Sequence, residues 1–279
     1  MTNYSVLMSV YQKERPDFLL QSMESIFSQT IPTDDFVLVC DGTLTAELDA
    51  VIDQFQISHG DTLHVLRLKT NQGLHRALNE GLRVCRHELI ARMDSDDVAL
   101  PRRCELQLQK FEENPSLAIV GGAVDEFEGS ISNTVAHKSM PESLEEISRY
   151  ARRRNPFNHP TVMYRKSAVL AAGGYPDFSL HEDYALWINL LRSGAKGCNL
   201  PDTLCHMRVS SGLYDRRGGW QYFKKAVAFR CYLYRTGFCR LRDLLLAVSA
   251  LAAVCLAPSR VRKAAYQTIL RKRTENQPE

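Results

Sequence analysis

The run Glu88-Leu89-Ile90-Ala91-Arg92-Met93-Asp94-Ser95-Asp96-Asp97 decides how the rest of the chain is read. Its apolar stem reads as a β-strand, and three carboxylates crowd the strand's end before Pro101. Like charge gathered this way costs free energy through repulsion and desolvation unless something positive is held. A divalent cation, and the phosphates it brings, removes that cost. In an extended segment Asp94 and Asp96 point the same way, so two carboxylates can share one ion, most directly through Asp96. Asp97 points the other way and is placed to cap the helix that follows. The competing reading is an acidic turn that does such capping and nothing else.

Working outward, short β-rich runs alternate with helical patterns through the first 125 residues. Strands are expected at Ser5–Val10, Phe36–Val39, Leu63–Leu68, Leu89–Met93 and Leu117–Val120. Helices are expected around Phe18 to Phe27, over 45–57, from Leu74 to Leu82 and over 102–113. This order implies an α/β fold with a mostly parallel, Rossmann-like central sheet covered by helices on both faces. In such a sheet the working residues lie just past the carboxyl ends of the strands. Tyr11, Asp41, Asn71 and Asp94 to Asp97 all fall there. Beyond residue 125 the pattern is less regular. A helix is expected over Leu144–Arg154, a rigid polar loop over Asn155–Pro160, a strand over Thr161–Tyr164 and a turn over Ala171–Pro176. An amphipathic helix opens at His181-Glu182-Asp183 and stops at Gly194.

The chain has 279 residues with 44% apolar, enough for one large domain or a domain with an appendage. No secretory leader pattern opens it. Its eight cysteines include no C-x-x-C pair, which points to reduced thiols and a cytoplasmic location. The formal charge of +3 conceals an asymmetry. Residues 220–279 hold twelve Lys or Arg against three acids, a local net of +9 that leaves −6 for the remainder. Within that segment Leu244 to Leu256 is apolar for thirteen residues apart from Ser249. A bilayer span needs about 20 residues, so a membrane-surface element with basic flanks or a packed helix is expected. Tyr222, Phe223, Tyr232 and Tyr234 interleave with basic residues, but no nucleic-acid module is recognisable.

Chemistry is expected at a few places. Asp41, closing the second strand before Gly42, can accept from a base N–H or a ribose hydroxyl; the plainer reading is an Asp-Gly turn. Neither a dinucleotide Gly-x-Gly-x-x-Gly fingerprint nor a P-loop lysine motif occurs. Asp183 is the candidate general base for a hydroxyl acceptor, with Glu182 supporting the acceptor or the local geometry. Acidic residues in a helix's first turn are also favoured by the backbone dipole alone. His159 lies in a loop that can face substrate or serve packing. Arg208, with Ser210-Ser211-Gly212 and Arg216-Arg217-Gly218-Gly219, can close over a diphosphate and neutralise a leaving group, or be a solvated basic loop.

Taken as an ordered set, these motifs resemble a known family. They are Ser5-Val6-Leu7-Met8-Ser9-Val10-Tyr11, Val39-Cys40-Asp41-Gly42, Asn71-Gln72-Gly73-Leu74 with Ala77-Leu78-Asn79, Arg92 to Asp97, Gly173-Gly174-Tyr175 and Glu182-Asp183-Tyr184. Across residues 4–215 the chain is similar to family 2 glycosyltransferases of the GT-A fold, of the kind that build bacterial capsule, exopolysaccharide or O-antigen. The resemblance implies a transferase domain over 1–215, with a nucleotide-sugar half (1–125) and an acceptor half (126–215). A basic helical segment over 216–279 would follow. It implies a UDP-sugar donor with Mn2+ or Mg2+ on its diphosphate. Asp96 would be the principal metal ligand, with Asp94 as a second ligand or beside the ribose or donor sugar. Tyr11 would line the base pocket, Asp41 would sit near the uracil and Arg92 beside the nucleotide. Asp183 would be the base of a single displacement with inversion. The acceptor would be a glycan, an undecaprenyl-diphosphate-linked sugar or a lipid A-core, met at the inner face of the cytoplasmic membrane by a peripheral enzyme.

The chain departs from that pattern in two places. Many members carry two consecutive aspartates where this chain has Cys40-Asp41. Processive synthases carry Gln-x-x-Arg-Trp where this chain has Arg216-Arg217-Gly218-Gly219-Trp220, which suggests one sugar per encounter. The rival enzyme reading is a nucleotidyltransferase, but Tyr11-Gln12-Lys13-Glu14-Arg15-Pro16 lacks the glycines such enzymes carry after strand one. The rival non-enzyme reading is an inactive binding protein on the same fold, which would be expected to have lost some of the carboxylates.

Overall fold

The computed structural model describes residues 3–178, 180–209 and 219–255. The expectations for Ser210-Ser211-Gly212, for Arg216-Arg217-Gly218 and for the residues after Cys255 lie outside the described residues. The chain begins β1 (Tyr4–Val10), α1 (Pro16–Phe27), β2 (Asp35–Cys40), α2 (Ala46–His59), β3 (Leu63–Arg67), α3 (Leu74–Val84) and β4 (Leu89–Asp94). Two-residue β5 (Val98–Ala99), α4 (Arg103–Glu113), β6 (Leu117–Phe127), β7 (Thr134–Lys138) and α5 (Leu144–Tyr150) follow. A 3-10 turn (His159–Thr161) leads into β8 (Met163–Arg165), α6 (Lys166–Ala171), α7 (Glu182–Arg192) and β9 (Lys196–Arg208). The last two helices are α8 (Gly219–Arg235) and α9 (Leu241–Cys255).

All strands join one nine-stranded sheet in the order β3-β2-β1-β4-β8-β6-β9-β5, with β7 on β6. The first four of that order run parallel, as the β-α alternation predicts. Past β4 the pairing turns antiparallel through β8, and β6 and β9 run parallel again. Side chains of the parallel strands alternate between two cores. Val6, Met8, Leu38 and Cys40 face α1, α2 and α4, whereas Leu7, Val37 and Val39 face α3 and α7. The β2 strand is buried at every position, which explains its unbroken apolar sequence.

Local chemistry sets several helix starts. Thr45 caps α2, Pro16 opens α1, and Ser143 with Glu146 forms a capping box on α5. The helix expected to reach Arg154 stops at Tyr150, and Arg152 to Arg154 lie in a turn. A third core joins α7 to α8 through Tyr184, Ala185, Ile188, Phe229 and Leu233. Among the described residues no helix is long and apolar enough to cross a membrane.

Candidate active site

The acidic turn is held from two sides. β4 ends at Asp94, and the chain turns through Ser95 to Asp97 before β5. From α1, Ser22 Oγ donates to the Asp94 carbonyl at 2.7 Å, and Ser25 Oγ accepts from the Ala99 N–H at 3.0 Å. Ser95 Oγ donates to Glu14 Oε2 at 2.9 Å. From β9, the Arg208 N–H donates to Asp97 Oδ1 at 2.7 Å, and Arg208 Nε donates to the Asp96 carbonyl at 2.9 Å. Asp97 therefore binds β9 and does not cap the following helix, which corrects the sequence expectation. Arg208 also departs from the role of a free cation on a closing segment. Its guanidinium lies 3.7 Å from the Phe18 ring centroid and 4.5 Å from that of Phe127, and Nη2 donates to Gln21 Oε1 at 2.9 Å. It acts as a strut beneath the turn.

A buried cation organises the electrostatics. Arg92 is 1% exposed and grips the Asp94 carboxylate with both terminal nitrogens, Nη1 to Oδ2 at 2.5 Å and Nη2 to Oδ1. This bidentate pairing commits both terminal nitrogens of Arg92 to Asp94. Its Nε is buried without a hydrogen-bond partner. Asp97 is pushed well above the ordinary carboxylate range by burial and by the charges of Asp96 and Asp94. Asp96 is pushed up to about 7 by burial, then by Asp94 and Glu14.

Asp41 lies at the carboxyl end of β2, and both of its oxygens are in use. Oδ1 accepts from the Gln72 N–H at 2.7 Å and Oδ2 from the Gly73 N–H at 2.9 Å. The loop opening α3 is thereby drawn against the strand end. Gly42 has φ of +88°, and a Cβ there would lie 2.6 Å from the Asn71 nitrogen, so the Asp-Gly pair is required by this crossing. Tyr11 stands at the carboxyl end of β1, 41% exposed.

The Glu-Asp pair opens α7 after the N-cap His181, which follows Leu180, a side-chain-bearing residue with an unusual φ of 79°. Asp183 Oδ2 accepts from Asn155 Nδ2 at 2.5 Å, and Oδ1 accepts from the Tyr184 N–H at 2.7 Å. Burial raises its pKa, while these donors and the charges of Arg92 and Lys138 oppose the rise. Glu182 is pushed up to about 7 by burial and by Asp183. His159 sits under Arg92's field, and burial holds its pKa well down, so the ring is neutral. Its Nε2 lies 3.2 Å from Tyr175 Oη, and the ring packs against Trp187. Asn79 pins Tyr175 from α3, accepting from its N–H and donating to its carbonyl, each at 2.8 Å. The fold thus gathers Asp94, Glu182, Asp183, Tyr175 and His159 into the field of Arg92. Glu14, Ser22 and Asn155 were not singled out from the sequence. Glu14 lies in the loop after β1 that begins with Tyr11, and Asn155 opens the rigid polar loop, so both had a positional signal.

Among the described residues no three metal-binding side chains converge. A small hard cation that takes one or two carboxylates and completes its shell with phosphate and water needs no such trio. Asp96 fits that requirement. Its half-buried carboxylate accepts no side-chain hydrogen bond among the described residues, and its ionisation is resisted by neighbouring negative charge. Asp94 fits less simply, because both of its oxygens already meet Arg92.

The model of glycosyl transferase family 2 matches residues 5–172. The chain belongs to glycosyl transferase family 2. This family 2 chain is 41% identical to an uncharacterised glycosyltransferase of Haemophilus influenzae, over 96% of this chain and 99% of that one. It is 40% identical to the amylovoran biosynthesis glycosyltransferase AmsE of Erwinia amylovora, over 85% and 89% of the two chains. It is 34% identical to the Escherichia coli UDP-Gal:alpha-D-GlcNAc-diphosphoundecaprenol beta-1,3-galactosyltransferase, over 96% and 97%. Among solved structures it is similar to Staphylococcus aureus TarS in complex with UDP-GlcNAc. The TM-score is 0.63 at 15% identity, over 94% of this chain and 69% of that one. It is also similar to the mannosyltransferase PcManGT of Pyrobaculum calidifontis with GDP-Man and Mn2+. There the TM-score is 0.61 at 17% identity, over 94% and 79%. These likenesses establish the GT-A fold, and the family makes the chain a glycosyltransferase.

Proposed function

We propose that this glycosyltransferase moves one sugar, with inversion, from a UDP-sugar to a hydroxyl of a lipid-diphosphate-linked saccharide in cell-surface polysaccharide biosynthesis. The observation that carries this reading is the placing of Asp183 and the acidic turn in the field of one buried guanidinium, Arg92. The family relatives that act in amylovoran synthesis and on a diphosphoundecaprenol-linked sugar support the choice of pathway and acceptor. UDP-galactose is accordingly the first donor to try.

In the proposed reaction Asp183 accepts the proton of the acceptor hydroxyl as that oxygen attacks the anomeric carbon. A new C–O bond forms on one face while the bond to the diphosphate breaks on the other. The electron pair leaves with the nucleoside diphosphate, and the proton stays on Asp183 until it is lost to solvent. Asn155 and the Tyr184 N–H hold the base carboxylate in position. Arg92 holds the Asp94 carboxylate in a fixed orientation, and Asp41 holds the loop Asn71–Gly73 beside the strand ends. Tyr11 is assigned to the base pocket. Mn2+ or Mg2+, held chiefly by Asp96, would supply positive charge to the departing diphosphate.

The test is a donor panel run with Asp183→Asn beside the wild type. The variant is expected to bind UDP-sugar with unchanged affinity and to lose at least about a thousandfold in transfer. Full transfer by the variant would remove Asp183 from the mechanism. Absence of transfer from every UDP-sugar by the wild type would remove the donor class.

A further inference from the structure

Beyond the carboxyl-terminal end of α7, away from Asp183 at its start, a cleft of about 350 Å³ opens beside α5 and the turn after α8. Ser148, Arg152, Leu191, Arg192, Thr236 and Phe238 line it. A neighbouring hollow along α5 shares Ser148 and Arg152 and adds Leu144, Glu145 and Arg149. The acids nearby are already engaged. Glu145 pairs with Arg149 at 3.2 Å, Glu146 closes the capping box, and Asp243 pairs with Arg153 at 2.8 Å. Among the described residues the side chains of Arg152, half-buried, and Arg192, exposed, make no hydrogen bond or ion pair. The two hydroxyls of the cleft face their own helices. Ser148 Oγ donates to the Leu144 carbonyl at 2.7 Å, and Thr236 Oγ1 to the Tyr232 carbonyl at 2.9 Å. What remains is uncompensated guanidinium charge over an apolar floor of Leu191 and Phe238, the setting that recognises a phosphate.

The next element tells which phosphate. α9 starts three residues past Phe238 and turns Leu241, Leu245 and Leu246 outward, 52%, 59% and 56% exposed. Arg240 and Arg242 are exposed beside them. A free anion would gain nothing from exposed leucines. A bilayer surface offers anionic headgroups and an acyl boundary within a few ångströms of each other. We propose that this face docks on an anionic membrane, Arg152 and Arg192 taking a lipid phosphate while Leu241, Leu245 and Leu246 enter the acyl boundary. It rests on the proposed function only in that a lipid-linked acceptor gives the enzyme a reason to be there.

The experiment is flotation of the full chain with vesicles of phosphatidylcholine alone or mixed with phosphatidylglycerol, neither containing polyprenyl lipid. Wild type is expected to float with the anionic vesicles only. Arg152→Glu/Arg192→Glu is expected to lower the apparent partition coefficient by at least about tenfold. If that pair fails to fold, Arg152→Gln/Arg192→Gln is read instead and is expected to lose severalfold. Leu245→Ser/Leu246→Ser is expected to lose binding as well. Equal flotation of wild type and arginine variants, or no flotation of wild type, overturns the docking site. So does release of wild type by inorganic phosphate at an ionic strength where chloride releases none, since the cleft would then hold a free anion. Transfer to a detergent-dispersed acceptor is measured in parallel. The arginine variants are expected to retain it, so failure here leaves the transferase reading standing.

Discussion

Ionising Asp96 costs free energy in the absence of a cation, because the folded chain buries the group beside Asp94 and Glu14. With a folded pKa near 7 and an unfolded one in the ordinary carboxylate range, the native state binds the proton more tightly. This group's contribution to metal-free stability therefore declines as pH rises through that window. Asp96→Asn removes the penalty. Without metal at about pH 8 it is expected to melt at least about 2 °C higher than wild type, with the gap closing toward pH 5. The same variant is expected to lose the Mn2+-dependent part of UDP binding by calorimetry. A lower melting temperature at every pH would mean that the carboxylate is structural. Asp183 is governed by the same balance with the opposite intent, since it must be ionised to accept a proton. Asn155 donates to its charged form, so Asn155→Ala is expected to raise its pKa further and move the acid limb of the kcat profile to higher pH. An unshifted limb would assign that limb to another group, Glu182 at about 7 being the nearest candidate.

At the scale of elements, the turn after β4 is a product of its neighbours. α1 supplies Ser22 and Ser25, the loop before it supplies Glu14, and β9 supplies Arg208. Ser22→Ala deletes the donor to the Asp94 carbonyl, a loss of about 1 kcal/mol. Metal-dependent UDP affinity is expected to fall about fivefold, with the melting temperature lowered by only about 2–4 °C. An unaltered affinity would show that the turn holds its shape without α1. None of these supports could be read locally, because each joins residues far apart in sequence. The parallel strands were legible because burial on both faces leaves an unbroken apolar signature, as in β2. Strand β6 was expected to stop at Val120, just before Gly121-Gly122. It continues because a Cβ at either glycine would collide with Asn199 or Leu204 of β9, and the glycines let the two strands pair. β9 was hidden for a related reason. Pro201 lies within it, and its register against β6 shifts around that point.

For the whole molecule, α7 is where the acceptor chemistry meets the carboxyl-terminal helices. The Phe229 ring of α8 lies 4.7 Å from His181 and 4.9 Å from Tyr184, the residues flanking Glu182 and Asp183. Arg230 Nη1 donates to Tyr184 Oη at 3.1 Å, and Tyr232 Oη donates to Asn189 Oδ1 at 2.9 Å. A chain cut at residue 215 would uncover Tyr184, Ala185 and Ile188, which are buried in this shared core. The nucleotide side depends on a different core, formed on the β1, β2 and β4 strands by α1, α2 and α4. The two halves should therefore respond differently to damage at Phe229. Phe229→Ala leaves a cavity in a position 1% exposed and is expected to cost about 3–5 kcal/mol. It should also loosen the first turn of α7, where Asp183 depends on the Tyr184 N–H for its orientation. Calorimetry at a temperature well below unfolding is expected to show UDP affinity within about twofold of wild type, while kcat falls at least about tenfold. Equal losses in both would mean that the cores act as one unit. An unchanged kcat would mean that α8 braces the helix without bearing on the base.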